Sequence, residues 1–144
     1  MADIYTSYHA LLQHHSRQKY RLMAHHYEGY RELGRYLAQA HDQPLDNVVQ
    51  HYRERFEYHM AFPATRKSHT NVLQHIFGYL KREIDSASKR DILASIEAYR
   101  LGQTSLDVPL TLLDRYIQRF GSDYIRQQSY LNPGLHESDT RSHT

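Results

Sequence analysis

No cysteine occurs among the 144 residues. The chain can therefore form no disulfide, offer no thiol nucleophile, and hold neither Cys-ligated zinc nor an ordinary thiolate-bound iron–sulfur cluster. The absence suits a cytoplasmic setting. Four Pro and six Gly are too few for a disordered or turn-repeat chain. No apolar stretch approaches the length of a membrane span, and Met1 to Thr6 carry neither the basic nor the apolar region of an export signal. These features predict a soluble, cytoplasmic protein with no membrane partner. Charge of one sign is also scarce: 18 Lys and Arg face 16 Asp and Glu, a net of +2 with His neutral. That excess is too mild to drive strong non-specific duplex binding, which needs several clustered phosphate contacts.

What the chain does have is thirteen Tyr, twelve His and apolar residues at helical spacing nearly throughout, with no useful window of period-two alternation. The expected fold is all-α, a single-domain bundle of about six helices over residues 1–133, with residues 134–144 a polar, disordered tail. A first helix spans about residues 3–15, with Tyr5, Tyr8, Leu11, Leu12 and His15 on one side. A second runs over about 17–40 and is open to a break at His25-His26. The third carries Leu45, Val48, Val49, Tyr52, Phe56 and Met60 and stops at Phe62-Pro63. The fourth covers about 66–84 on Val72, Leu73, Ile76, Phe77, Leu80 and Ile84. Ser86 or Ser88 caps the fifth, which ends near Gly102. Asp107 caps the last long helix, with Pro109 in its first turn and Leu112, Leu113, Tyr116, Ile117 and Phe120 inward. A short helical turn follows between Tyr124 and Tyr130.

Projection at 100° per residue collects Lys67, Asn71, Gln74, His75, Gly78 and Arg82 on the polar side of the fourth helix. Tyr27, Arg31, Gly34, Arg35 and Ala38 form a comparable strip on the second. A glycine within good helix formers costs ~1 kcal/mol relative to Ala, which points to close approach by a packed helix or a ligand at Gly34 and Gly78. Glu28 and Glu32 stand three residues before Arg31 and Arg35 and can offset their repulsion. Arg17, Lys19 and Arg21 make a modest basic patch with Tyr20 between them. Tyr and Arg can stack on unpaired bases while Lys and Arg hold phosphates, as looped RNA requires; buried Tyr and surface Arg are equally ordinary parts of a helical bundle.

No two histidines lie at the i,i+3 or i,i+4 spacing that a helical metal site needs, His25 with Glu28 being the best local start, so no metal and no cofactor are expected. Nor is there an H-E-x-x-H, a Gly-rich phosphate loop or a serine elbow. An acid–base site could draw on His75, His25 or Glu32, with His75 and Glu32 as the leading acid and base.

Six segments in order carry a resemblance: Lys19-Tyr20-Arg21-Leu22-Met23-Ala24-His25, Tyr30-Arg31-Glu32-Leu33-Gly34-Arg35, His69-Thr70-Asn71-Val72-Leu73-Gln74-His75-Ile76-Phe77-Gly78-Tyr79-Leu80-Lys81, Tyr99-Arg100-Leu101-Gly102, Val108-Pro109-Leu110-Thr111-Leu112-Leu113 and Tyr124-Ile125-Arg126-Gln127-Gln128-Ser129-Tyr130-Leu131-Asn132-Pro133. Together they resemble the YbgA family across nearly the whole chain. That domain occurs alone or fused behind a cysteine-bearing domain similar to thiouracil desulfidases, and here only the helical part is present. The resemblance implies that fused forms act on 4-thiouridine in tRNA and that the helical domain is the RNA-binding portion. The leading expectation for this chain is a non-catalytic RNA-binding module, with a separate desulfidase-like protein as the partner an adaptor would dock. The residues it nominates for RNA contact are Lys19, His25, Tyr30, Arg31, Arg35, Asn71, Gln74, His75, Tyr79, Lys81 and Arg100. At residues 103–106 the chain departs from the family pattern, which there expects a more apolar, proline-containing approach. Two rival expectations come from other classes: a protein–protein adaptor using the glycine-bearing faces, and a small enzyme with His75 and Glu32 as acid and base.

Overall fold

The computed structural model describes residues 7–132, and within them every regular element is helical. The expected positions of Tyr5 and of the tail lie outside the described residues. Eight α-helices run α1 (Tyr8–Arg17), α2 (Lys19–His25), α3 (Tyr27–Gln39), α4 (Leu45–Met60), α5 (Arg66–Gly78), α6 (Ser86–Arg100), α7 (Asp107–Phe120) and α8 (Asp123–Arg126), followed by a 3-10 turn at Ser129–Leu131. The expectation of about six is low because the expected 17–40 helix is split into α2 and α3 and the short turn near Tyr124 forms α8; a second break shortens the fourth expected helix without adding one.

The first break is at His26, whose extended backbone (φ −151°, ψ 107°) separates α2 from α3. Neither Pro nor Gly causes it. The His26 ring leaves the helix line to stack on Phe62, centroids 4.1 Å apart, so a tertiary contact overrides local helix preference. The second is after Gly78, where i→i+3 bonds such as Tyr79 N–H to Ile76 O and Leu80 N–H to Phe77 O replace the α ladder. The fourth helix therefore stops six residues short of the expected Ile84. The tightened turns still carry Leu80 fully into the core, which is why the apolar pattern reads on past the helix end.

Caps explain most remaining boundaries. Ser7 accepts from Ala10 N at 3.0 Å and starts α1. Thr65 and Ser68 form a reciprocal capping box on α5. Asp85, not Ser86 or Ser88, caps α6 by accepting from Ser88 N at 2.7 Å. Leu106 holds the cap position of α7, and Asp107 is its first helical residue. Gly102 ends α6 as expected: at φ +80° it lets Gln103 N–H reach Ala98 O and its own N–H reach Tyr99 O, both at 2.9 Å, the paired closure that favours glycine there. The atypical 103–106 segment is pinned by the Arg66 guanidinium, which donates to Tyr99 O at 2.5 Å and Thr104 O at 3.3 Å, and by burial of Leu106.

Two apolar clusters fill the interior. Leu11, Leu22, Leu33, Leu37, Ala40, Val48 and Tyr52 join α1, α3 and α4. Val72, Leu73, Ile76, Ile92, Ile96, Leu110, Leu113, Ile117, Ile125 and Tyr130 join α5 to the C-terminal turn. The short α2 serves both, sending Leu22 into the first and Tyr20, Met23 and Ala24 into the second. The expected inward positions are largely met, but Phe120 is exposed.

Candidate functional site

Where α2, α3 and α5 meet, Lys19, Met23, Tyr27, Tyr30, Arg31 and His75 line an open cleft of about 240 Å³. Its floor is Met23, only 7% exposed. Tyr27, Tyr30 and Arg31 follow at i, i+3 and i+4 on α3 and so share one side of it. Lys19 Nζ lies 5.5 Å from the Tyr20 ring centre and 5.8 Å from that of Tyr30, within cation–π reach. Among the described residues no carboxylate lines the cleft. Arg31 has only a long contact to Glu28, 3.9 Å, with both side chains well solvated, a geometry that contributes little. Lys19 has no ion pair among the described residues, and Tyr27 and His75 have neither hydrogen bond nor ring contact there.

A group of phenols borders the cleft. The rings of Tyr20 and Tyr79 meet edge to face at 6.4 Å, and those of Tyr79 and Tyr124 lie 6.0 Å apart. Burial, then the neighbouring Tyr79 hydroxyl, pushes the Tyr20 phenol upward. Burial likewise raises Tyr30, with Tyr79 adding to it, and takes Tyr124 up to about 12. All three remain protonated donors near neutrality.

Four of the eleven nominated residues, Lys19, Tyr30, Arg31 and His75, thus come together in one cleft, and Tyr79 adjoins it through the phenol group. Arg35 on α3 and Asn71 and Gln74 on α5 are exposed on the same two helices without lining the cleft. Lys81 is exposed in the turns beyond α5. His25 is engaged elsewhere, its Nδ1 2.8 Å from Phe62 O, and Arg100 forks onto Glu97 at 2.7 and 2.8 Å at the end of α6. Two lining residues, Met23 and Tyr27, are missing from the nominated set. The spacing Tyr27, Tyr30, Arg31 held the signal for Tyr27; Met23 reads from sequence as ordinary core.

The glycine expectation is corrected. A methyl at Gly34 would meet only His15 Nε2, at an ordinary 3.6 Å, and one at Gly78 would meet nothing within 4 Å. Gly78 is the last residue of α5, not a mid-helix residue. The helical glycine that close approach does require is Gly29, where a Cβ would sit 2.7 Å from His59 Cγ and 3.0 Å from its Cβ.

Gly29 marks a second polar cluster, a seam between α3 and α4. Arg55 donates two hydrogen bonds to Glu32, at 2.6 and 2.7 Å, and His59 Nε2 lies 3.3 Å from the same carboxylate. His59, fully buried, meets His26 nitrogen to nitrogen (Nδ1 to Nδ1) at 2.7 Å. A carboxylate at Nε2 calls for a proton there, so in the neutral ring Nδ1 accepts and His26 Nδ1–H donates. The Arg55 fork, reinforced by His59, holds the Glu32 carboxyl down at about 2. Glu32 therefore faces Arg55 and not Arg35 as expected, and it does not join His75. His15 completes the seam: its Nε2 donates to Tyr30 O at 3.1 Å, its Nδ1 accepts from Tyr52 at 3.0 Å, and its ring stacks on Tyr30 at 4.5 Å. Burial holds His15 at about 4, the Tyr30 carbonyl opposing and His14 adding to the shift. No group of three or more His, Asp or Glu suited to a metal exists among the described residues, and no helix there is long and apolar enough to cross a membrane.

Among known proteins, a family model described as "Protein of unknown function (DUF1722)" matches residues 19–134, a span that starts at Lys19 and includes every cleft residue. The "Uncharacterized protein YbgA" of Escherichia coli (strain K12) is 37% identical over 122 residues, covering 84% of this chain and 72% of that protein. No solved structure matches.

Proposed function

The chain belongs to the YbgA family, the domain of unknown function DUF1722, and from that premise we propose that it is a non-catalytic RNA-binding module, with tRNA as its leading partner and thiouridine desulfidation as the process it serves in the cytoplasm. One observation carries the reading: Lys19, Arg31 and His75 meet exposed tyrosine around an apolar floor with no carboxylate among them. Lys19, without an ion pair among the described residues, and Arg31, with only a long, solvated contact to Glu28, suit phosphate oxygens, and unstacked rings suit splayed bases. The remaining exposed polar groups of α3 and α5, namely Arg35, Asn71 and Gln74, extend the same face for backbone contacts. Catalysis by His75 and Glu32 is disfavoured, because a carboxyl held at about 2 by Arg55 and His59 is a poor proton acceptor.

The test is a gel shift with total tRNA at low salt. A complex that weakens on raising salt and on Arg31→Ala with Arg35→Ala supports the reading; absence of any complex, or a double variant that binds as the parent does, removes it. A second reading, an adaptor for a separate desulfidase-like protein, is favoured by exposed Leu93, Leu101 and Val108 on α6 and α7 and the turn between them. Capture of that protein after nuclease treatment would favour docking over RNA.

A further inference from the structure

We propose that the cleft between α2, α3 and α5 is a site for one unpaired nucleotide, its base against Met23 and Tyr27 and its phosphate among Lys19, Arg31 and His75. The inference rests on the RNA reading and narrows it from a surface to a subsite. Size is the first argument. A volume of about 240 Å³ is below the ~300 Å³ at which pockets for drug-sized ligands begin, so the cleft holds a single unit of a strand and no helical stack.

The lining is divided as a nucleotide is. Tyr30 has one face covered by His15 and has Lys19 within cation–π distance, so it serves as a wall that keeps the ammonium in place. Tyr27 is 51% exposed and without a ring partner among the described residues, leaving a π-face for a base. Met23 supplies an adaptable apolar floor. Around this sit two cations and an imidazole drawn from three different helices, with no acid in the lining and only the long, solvated Glu28 contact to Arg31 nearby. A base paired and stacked in a duplex cannot reach such a floor; one splayed from a loop or a single strand can. The ligand class is therefore a nucleoside monophosphate unit of unpaired RNA, and stacking makes the site tolerant of base identity.

The test has two arms on the full chain. In the first, uridine 5′-monophosphate, adenosine 5′-monophosphate, uridine and inorganic phosphate are titrated separately while the Met23 methyl and the His75 ring are followed by NMR. Both monophosphates are expected to shift both probes saturably, phosphate to move His75 without Met23, and uridine to bind more weakly than its monophosphate. In the second arm a hairpin with a seven-nucleotide loop is compared with a blunt duplex of equal length. The loop should bind more tightly, and Tyr27→Ala should weaken it by roughly 5- to 100-fold, the range for loss of one stacked base, while leaving duplex affinity unchanged; Tyr27→Phe should retain the preference. Tyr27 is half exposed and has neither hydrogen bond nor ring contact among the described residues, so its replacement should leave the fold intact, and unchanged melting of the variant verifies this. Equal affinity for loop and duplex, or a Tyr27→Ala variant that loses nothing, overturns the subsite and leaves RNA binding standing. Monophosphate binding in the cleft with no RNA complex overturns the RNA reading and keeps the nucleotide site. Silence in both arms removes both.

Discussion

The cleft and the seam are built from the same residue types on two sides of α3, yet they are opposites. In the seam His26, His59, Glu32 and Arg55 pair with one another, and His15 is bonded through both ring nitrogens. In the cleft, among the described residues, Lys19 has no ion pair and touches only tyrosine faces, and Tyr27 and His75 have neither hydrogen bond nor ring contact. The difference teaches that a His- and Tyr-rich composition says nothing of function until each polar atom has been assigned a partner. Satisfied groups specify packing; unsatisfied ones at an opening are available to something else.

The comparison can be stressed first with acid. His15 falls from 6.5 in the unfolded chain to about 4 in the fold, so the native state binds fewer protons between those values, and stability rises with pH across that window. The contribution is whole above about pH 6.5 and is lost as pH falls toward 4, at most about 3 kcal/mol. Urea midpoints at pH 7 and pH 5 should show the loss, and His15→Gln should flatten the slope. Glu32 acts in a separate, lower window: with its carboxyl depressed to about 2, its share is present above the unfolded value of 4.5 and disappears below it. Cleft residues should leave both windows unmoved.

Next comes Gly29→Ala, which drives a methyl into the root of the His59 ring and should cost about 1–3 kcal/mol by overpacking, read as a lower denaturant midpoint at constant slope. Lys19→Ala with Arg31→Ala should leave that midpoint within about 0.5 kcal/mol while weakening tRNA binding about tenfold and flattening its logarithmic salt slope by about 0.7 per lost phosphate contact. A cleft variant that unfolds the protein would erase the distinction between the two regions. The smallest effect belongs to Gly78→Ala, which should be neutral or stabilising by up to about 1 kcal/mol, since nothing stands near the added methyl.

Much of the fold was legible because it depends on local rules. The apolar stripes, the Gly102 closure and the stop before Pro63 all act within a few residues. The end of α5 was not legible, since Leu80 keeps its apolar register through turns that are no longer α-helical. Nor was the seam: Glu32 finds Arg55 at a distance of 23 residues, His26 finds His59 at 33, and His69 finds Tyr130 at 61. Periodicity cannot foresee such pairings. Of the nominated residues, Lys19, Tyr30, Arg31 and His75 line one cleft, but Gly34 and Gly78 were misleading. Low helix propensity marks a cost without saying whether any neighbour requires it, and among the described helical glycines only Gly29 has such a neighbour.

The double allegiance of α2 has a consequence for how the chain comes apart. Seven residues are too few for a helix to persist alone in water, so this one exists only while both apolar clusters hold it. Neither half can melt without exposing the other's share, and heat or denaturant should reveal a single transition instead of two. A ligand gripping Lys19 on α2, Arg31 on α3 and His75 on α5 would clamp both halves through that shared splint, and by mass action it would raise the melting temperature of the whole chain.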